Sequence, residues 1–206
     1  MNLHLVIGQA DCLYHSMDVL VSASVKGGVT HVQLREKLAS IEELIKAGQH
    51  LKYLLKPYNV PLIINDHVDV ALAIKAEGVH LGQSDMPYSE ARRLLGINRI
   101  IGLTIETVEQ IHKANQWDVQ YVGIGPVFST QTKLDAPPPL GISGLAHLCK
   151  LSRHPVVAIG GIHVGNVEAI LNAGAQGIAT VSAISHARCP EQMSHTLKQI
   201  LMKRNL

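Results

Sequence analysis

Aromatic residues are scarce: one Phe, one Trp and five Tyr make up 3% of the 206 residues. A platform that stacks the bases of single-stranded nucleic acid needs more rings than that. The core is instead expected to consist of Val, Ile, Leu and Ala, the residues of strands buried on both faces. An excess of one charge is also missing. The formal net charge is +2 and no run reaches five basic residues, so neither nucleic acid nor a membrane surface has electrostatic support as a partner. No apolar run reaches the roughly 18 residues that span a bilayer. The start, Met1-Asn2-Leu3-His4, enters a strand-like run with no basic segment before it, so no signal peptide is expected. Cysteine is sparse as well: Cys12, Cys149 and Cys189 are scattered, and any one pairing leaves one over. A reducing cytoplasm is the expected location. Histidine is the exception, with twelve copies, yet no two stand in a His-x-x-x-His pair and a zinc site is not expected.

The hydrophobic share of 47% allows one large core, burying roughly 70% of the unfolded surface for a chain of this size. Short β-rich apolar runs alternate with amphipathic stretches from end to end. Strands are expected at residues 3–7, 29–34, 62–65, 78–81, 100–103, 119–124, 156–159 and 177–181. Helix starts are legible between them. Ser40-Ile41-Glu42-Glu43 reads as a capping box, and Thr107-Val108-Glu109-Gln110 as a second start. Gly27-Gly28, Glu77-Gly78 and Gly174 stand where helices should end. Eight uninterrupted strand-helix repeats favour a closed barrel, an α/β fold of the TIM (β/α)8 type, over an open sheet of about five units. Residues 1–206 are expected to form one such domain. One long irregular stretch, residues 125–141, contains Pro137-Pro138-Pro139 and reads as a lid.

In such barrels the chemistry sits just past the C-terminal strand ends. After the second strand, Gln33-Leu34-Arg35-Glu36-Lys37 alternates so that Gln33, Arg35 and Lys37 share one side. Two cations and an amide aimed at one spot suit a polyanion; a solvated strand end paired with Glu36 is the equal alternative. After the third strand come Asn65-Asp66-His67, and after the fourth Gly82-Gln83-Ser84-Asp85. Each Asp alone reads as a helix cap. Together on neighbouring strands, beside the Arg-Lys pair, they are the set expected for Mg²⁺ bridging a diphosphate. After the seventh strand, Gly160-Gly161 reads either as a tight turn or as a backbone cradle for a phosphate, completed by the Val181-Ser182 segment after the eighth. On the long loop, Thr130-Gln131-Thr132-Lys133 is placed to close over bound ligands. Two phosphate sites of different kinds suggest two substrates that are joined.

These runs, together with Gly78-Val79-His80-Leu81-Gly82-Gln83-Ser84-Asp85, Gly123-Ile124-Gly125-Pro126-Val127-Phe128, Ile159-Gly160-Gly161-Ile162 and Val181-Ser182-Ala183-Ile184, resemble the thiamine-phosphate synthase family over nearly the whole chain and in order. The resemblance implies a magnesium-dependent barrel transferase. It would join hydroxymethylpyrimidine diphosphate to thiazole phosphate, giving thiamine monophosphate and diphosphate. It also implies roles for residues. Gln33, Arg35, Lys37 and Asn65 would hold the pyrimidine diphosphate, with Leu34 and Glu36 in the same binding run. Asp66 and Asp85 would hold Mg²⁺. Thr130, Thr132, Gly161, Val181 and Ser182 would line the thiazole phosphate site, Gln131 and Gly160 would also bind substrate, and Lys133 would reach the diphosphate from the lid. The catalytic set implied is Lys133, Arg35, Lys37 and Thr104, all acting on the leaving diphosphate.

Three positions depart from the family pattern. His67 stands where Arg is usual, Thr104 where Ser is usual, and Glu106 where His is common. The partners expected are two small-molecule substrates; a homo-oligomer is left open. The rival readings are a thiazole tautomerase-like paralogue, a barrel that binds thiamine precursors without turnover, and a sugar-phosphate isomerase on the same fold, since fold alone does not fix function.

Overall fold

A computed structural model describes residues 2–132 and 137–203. Eight parallel strands close on themselves in sequence order, β1 pairing with both β2 and β8. They are β1 (Asn2–Ile7), β2 (His31–Leu34), β3 (Leu62–Asn65), β4 (Gly78–Leu81), β5 (Ile100–Ile105), β6 (Tyr121–Ile124), β7 (Val156–Ile159) and β8 (Gly177–Thr180). A helix follows each of the first seven: α1 (Met17–Lys26), α2 (Ile41–Leu55), α3 (Val68–Ala73), α4 (Tyr88–Leu95), α5 (Val108–Ala114), α6 (Gly141–Leu151) and α7 (Val167–Asn172). Two follow β8, the short α8 (Ser182–Ser185) and α9 (Pro190–Lys203). The ring of helices closes where α9 packs against α1.

Local signals form these elements as the sequence suggests. Ser40 accepts from the Glu43 N–H while Glu43 takes the Ser40 N–H at 2.8 Å, and Thr107 and Gln110 repeat the arrangement. Both boxes satisfy amide groups that a helix start would otherwise leave unpaired. Gly28 and Gly174 take φ of 107° and 111° after α1 and α7, a conformation that favours glycine.

Some strand ends differ from the expected ones. Residues 29 and 30 lie outside β2 because the Val29 N–H still bonds Ser24 O at the end of α1, while the Thr30 hydroxyl is tied to Leu3. β5 runs on to Ile105, which pairs with Ile124. β6 begins at Tyr121 rather than residue 119, and β8 stops at Thr180 because Val181 already caps α8.

Alternation divides each strand between two environments. Leu3, Leu5 and Ile7 join the large aliphatic layer between strands and helices. The opposite phase faces the barrel axis, where Val6, Tyr121, Val157 and Ala179 form a small separate cluster. That interior corrects the expectation of an aliphatic core throughout. His4 stacks on His31 with ring centroids 4.2 Å apart, Tyr121 meets His4 edge-on at 5.0 Å, and His80 stacks on Tyr121 at 5.5 Å. Gly102 makes room for this column, since a Cβ there would lie 2.1 Å from the Tyr121 ring. Among the described residues, no helix is long and apolar enough to cross a membrane.

Candidate active site

The strands' C-terminal ends open into one cavity of about 350 Å³. Its floor is formed by the His4, Tyr121 and His80 rings of the column inside the barrel. His4 is 1% exposed, and neither ring nitrogen has a hydrogen-bond partner among the described residues, although a buried polar atom normally finds one. Burial first, then the neighbouring His31 and His80, hold its pKa well below the usual histidine range, so the ring is neutral. His80 lies between two hydroxyls. Nδ1 is 2.9 Å from the Tyr121 oxygen and Nε2 is 2.9 Å from the Thr104 oxygen. Burial brings His80 down to about 4, against the opposing pull of Asp66.

One side of the mouth is built from charged side chains. Gln33, Arg35 and Lys37 all line the cavity, Gln33 from within β2 and the other two from the loop just past its end rather than by strand alternation. Asn65, Asp66, Asp85 and Thr104 face the same space. Lys37 Nζ lies 2.7 Å from Asp66 Oδ2. Asp66 has φ 64°, a left-handed conformation that Asp tolerates better than most residues, and its N–H bonds His80 O at 2.8 Å. This turn carries its carboxyl to within hydrogen-bonding reach of Asp85. Burial alone would push Asp66 up, but the hydrogen bonds with Asp85 and Lys37 outweigh it and hold the carboxyl below its usual range. Asp85 is pushed up, first by burial and then by Asp66, against the pull of the Gly82 N–H at 2.6 Å. Two carboxyls crowded this way form a site that favours a bound cation. Among the described residues no third Asp, Glu, His or Cys joins them. Two carboxylates with space beside them suit a hard cation that takes its other ligands from substrate oxygens and water; zinc would want nitrogen or sulfur donors.

The other side is built largely from backbone. Gly160 and Gly161 take φ of 101° and 62°. A Cβ on Gly160 would lie 2.6 Å from Pro126, and one on Gly161 2.5 Å from Ser129 O. The glycines therefore let the loop after β7 pack on the loop after β6 as well as leaving backbone open to the cavity. Val181, Ser182, Thr130 and Thr132 line the same space, with the two threonine hydroxyls 3.0 Å apart. Lys133 lies outside the described residues.

Other positions singled out in the sequence stand differently. Leu34 points the other way from Gln33 and Arg35 and is fully buried in the aliphatic layer. The Glu36 carboxylate accepts the Gln9 N–H. Gln131 is exposed. His67 precedes α3 with its ring 3.8 Å from Asp69, while Glu106 lines the cavity. Sequence reasoning missed His4, His80 and Tyr121. The available signal was a polar ring in the opposite phase to Leu3 and Leu5, to Val79 and Leu81, or to Val122.

The family model described as thiamine monophosphate synthase matches residues 3–184. A thiamine-phosphate synthase of Albidiferax ferrireducens is 45% identical over 98% of this chain and 92% of its own length. One from Leptospira biflexa is 44% identical over 95% of each chain. Among solved structures, a thiamine phosphate pyrophosphorylase from Pyrococcus furiosus superposes with a TM-score of 0.88 at 33% identity, covering 98% of this chain and 96% of that one.

Proposed function

The chain belongs to the thiamine monophosphate synthase family, and on that premise we propose that it is a transferase of thiamine biosynthesis that joins 4-amino-2-methyl-5-hydroxymethylpyrimidine diphosphate to 4-methyl-5-(2-phosphoethyl)thiazole, releasing diphosphate. One observation carries this reading: a single cavity has a cation-and-carboxylate wall from β2 to β5 and a glycine-and-hydroxyl wall from β6 to β8. The first suits a diphosphate, the second a phosphate monoester, and the rings of both substrates would lie over the floor between them. The unpartnered nitrogens of His4 would give a heteroaromatic ring something to bond there.

Asp66 and Asp85 would hold Mg²⁺, which their crowded carboxyls and their chemistry fit. When bound, the ion supplies positive charge to the leaving diphosphate. Arg35 would grip diphosphate oxygens through its planar fork, and Lys37 would turn from Asp66 toward them as a point charge. Thr104 would add a hydroxyl and Asn65 an amide. As the C–O bond breaks, its electron pair leaves with the diphosphate and the aminopyrimidine ring spreads the positive charge left on carbon. The thiazole nitrogen then gives its lone pair to that carbon and closes the C–N bond. This nitrogen is already nucleophilic, so no general base is required. Gly160, Gly161, Ser182, Thr130 and Thr132 would hold the thiazole phosphate for that attack, and Lys133 would reach the diphosphate from the loop after β6.

The test is a coupling assay with both substrates, with and without Mg²⁺, reading thiamine phosphate by oxidation to a fluorescent product. Metal-dependent product is expected. No product, with thiazole phosphate still bound, would replace this reading with the tautomerase-like or the non-catalytic barrel.

A further inference from the structure

The hydroxyl of Thr104 is the last member of a hydrogen-bonded chain that begins inside the barrel. The Tyr121 oxygen is 2.9 Å from His80 Nδ1 and His80 Nε2 is 2.9 Å from Thr104 Oγ1, and the Gln33 side chain is the further neighbour of the phenol. The members come from four strands, β2, β6, β4 and β5. Two arrangements of hydrogens satisfy a chain like this. In one, Tyr121 donates to Gln33 and accepts from His80, and Thr104 turns its hydrogen inward to His80. In the other, Gln33 donates to Tyr121, Tyr121 donates to Nδ1, Nε2–H donates to Thr104, and the Thr104 hydrogen is left for the cavity. Only the second gives an anion a donor instead of a lone pair.

We propose that His80 is a positioning residue: held as the Nε2–H tautomer by the Tyr121 hydroxyl, it fixes Thr104 as a hydrogen-bond donor to the diphosphate. The anion at the cavity end sets the direction, since only an outward-turned Thr104 hydroxyl can donate to it, and a neutral imidazole, which donates at one nitrogen and accepts at the other, transmits it. Gly123 leaves the ring its place, since a Cβ there would lie 3.0 Å from His80 Cε1. This inference rests on the diphosphate reading of the β2–β5 wall.

The test compares four variants by calorimetric binding of inorganic pyrophosphate with Mg²⁺, and by turnover. Thr104→Val removes the donor and should weaken pyrophosphate binding roughly 10- to 100-fold, the scale of a hydrogen bond to a charged group. His80→Asn keeps an amide near Nδ1 but cannot reach Thr104, and should cost about as much. His80→Gln places an amide N–H near Nε2 and should restore most of the loss. Tyr121→Phe keeps the ring, removes the hydroxyl that locks the tautomer, and should weaken binding several-fold, about 3-fold or more. The deciding comparison is a double-mutant cycle, because His80→Asn on top of Thr104→Val should add nothing. Additive losses, or Asn and Gln variants equally impaired, would overturn the relay. Wild-type protein that binds no magnesium pyrophosphate would overturn both the relay and the reading beneath it. Pyrophosphate binding without coupling would sink only the proposed reaction.

Discussion

On the proposed reading, the two walls of the cavity would solve the same problem, holding phosphate, by different means. The β2–β5 wall would do it with side chains: Arg35 and Lys37 against Asp66 and Asp85, with Lys37 and Asp66 2.7 Å apart. The β6–β8 wall relies mainly on backbone, exposed at Gly160 and Gly161 and aided by small hydroxyls. A side-chain wall can gather net charge and change it when a ligand arrives. A backbone wall carries fixed dipoles and pre-organised geometry. The first is suited to a group that gains charge as it leaves, the second to a phosphate that is only held. The loop packing at Gly160 and Gly161 shows how fixed the second wall is.

That contrast can be broken at several points. Removing a carboxylate from the charged wall should do most damage: Asp85→Ala is expected to lower kcat/KM by more than about 10²-fold, the scale of losing a group that stabilises transition-state charge. The KM for thiazole phosphate should stay nearly constant in steady-state kinetics. Equal damage to both substrates would erase the division between the walls. Lys133→Ala should lower kcat by about 10²-fold with the fold intact, and near-normal turnover would remove Lys133 from the leaving-group set.

A third prediction concerns the ring column beneath both walls. Burial, and then Lys198, bring His31 down from 6.5 to about 4. Between those values the unfolded chain binds a proton that the folded chain refuses, so stability present above pH 6.5 is lost as pH falls. The His31 share should be about 2 kcal/mol between pH 7 and pH 5. Urea unfolding at the two pH values, with wild type and His31→Gln, measures it; an unchanged difference in the variant would contradict the assignment. The smallest effect is expected at the backbone wall. Gly161→Ala forces a Cβ to within 2.5 Å of Ser129 O at φ 62°, a conformation costing roughly 1–2 kcal/mol. It should raise the KM for thiazole phosphate about 10-fold and leave the diphosphate substrate unaffected.

The same contrast governs what was legible in the sequence. Eight apolar runs with glycine-marked helix ends were enough for the barrel, because strand and helix periods differ and each repeat restates them. Strand ends were less legible. Thr30 looks like strand but spends its hydroxyl on Leu3. The charged wall showed itself through residue type, since Arg, Lys and paired Asp just after strands have few structural reasons to cluster. The glycine wall showed itself only as a turn, and its packing against Pro126 and Ser129 could not be read from a glycine pair. The Gln33–Leu34–Arg35–Glu36 run was too coarse a unit: Leu34 belongs to the aliphatic layer, and Glu36 holds the Gln9 amide. The floor was missed for a related reason. Counting Phe, Trp and Tyr hid three histidine rings that do the work of aromatics inside the barrel.

The most direct test of the two-wall account is calorimetric titration of the wild-type protein with inorganic pyrophosphate and, separately, with thiazole phosphate, each with and without Mg²⁺. The account predicts that pyrophosphate binds tightly only with the metal, while thiazole phosphate binds equally well in both conditions. Metal-independent pyrophosphate binding, or thiazole phosphate binding that needs the metal, would contradict it.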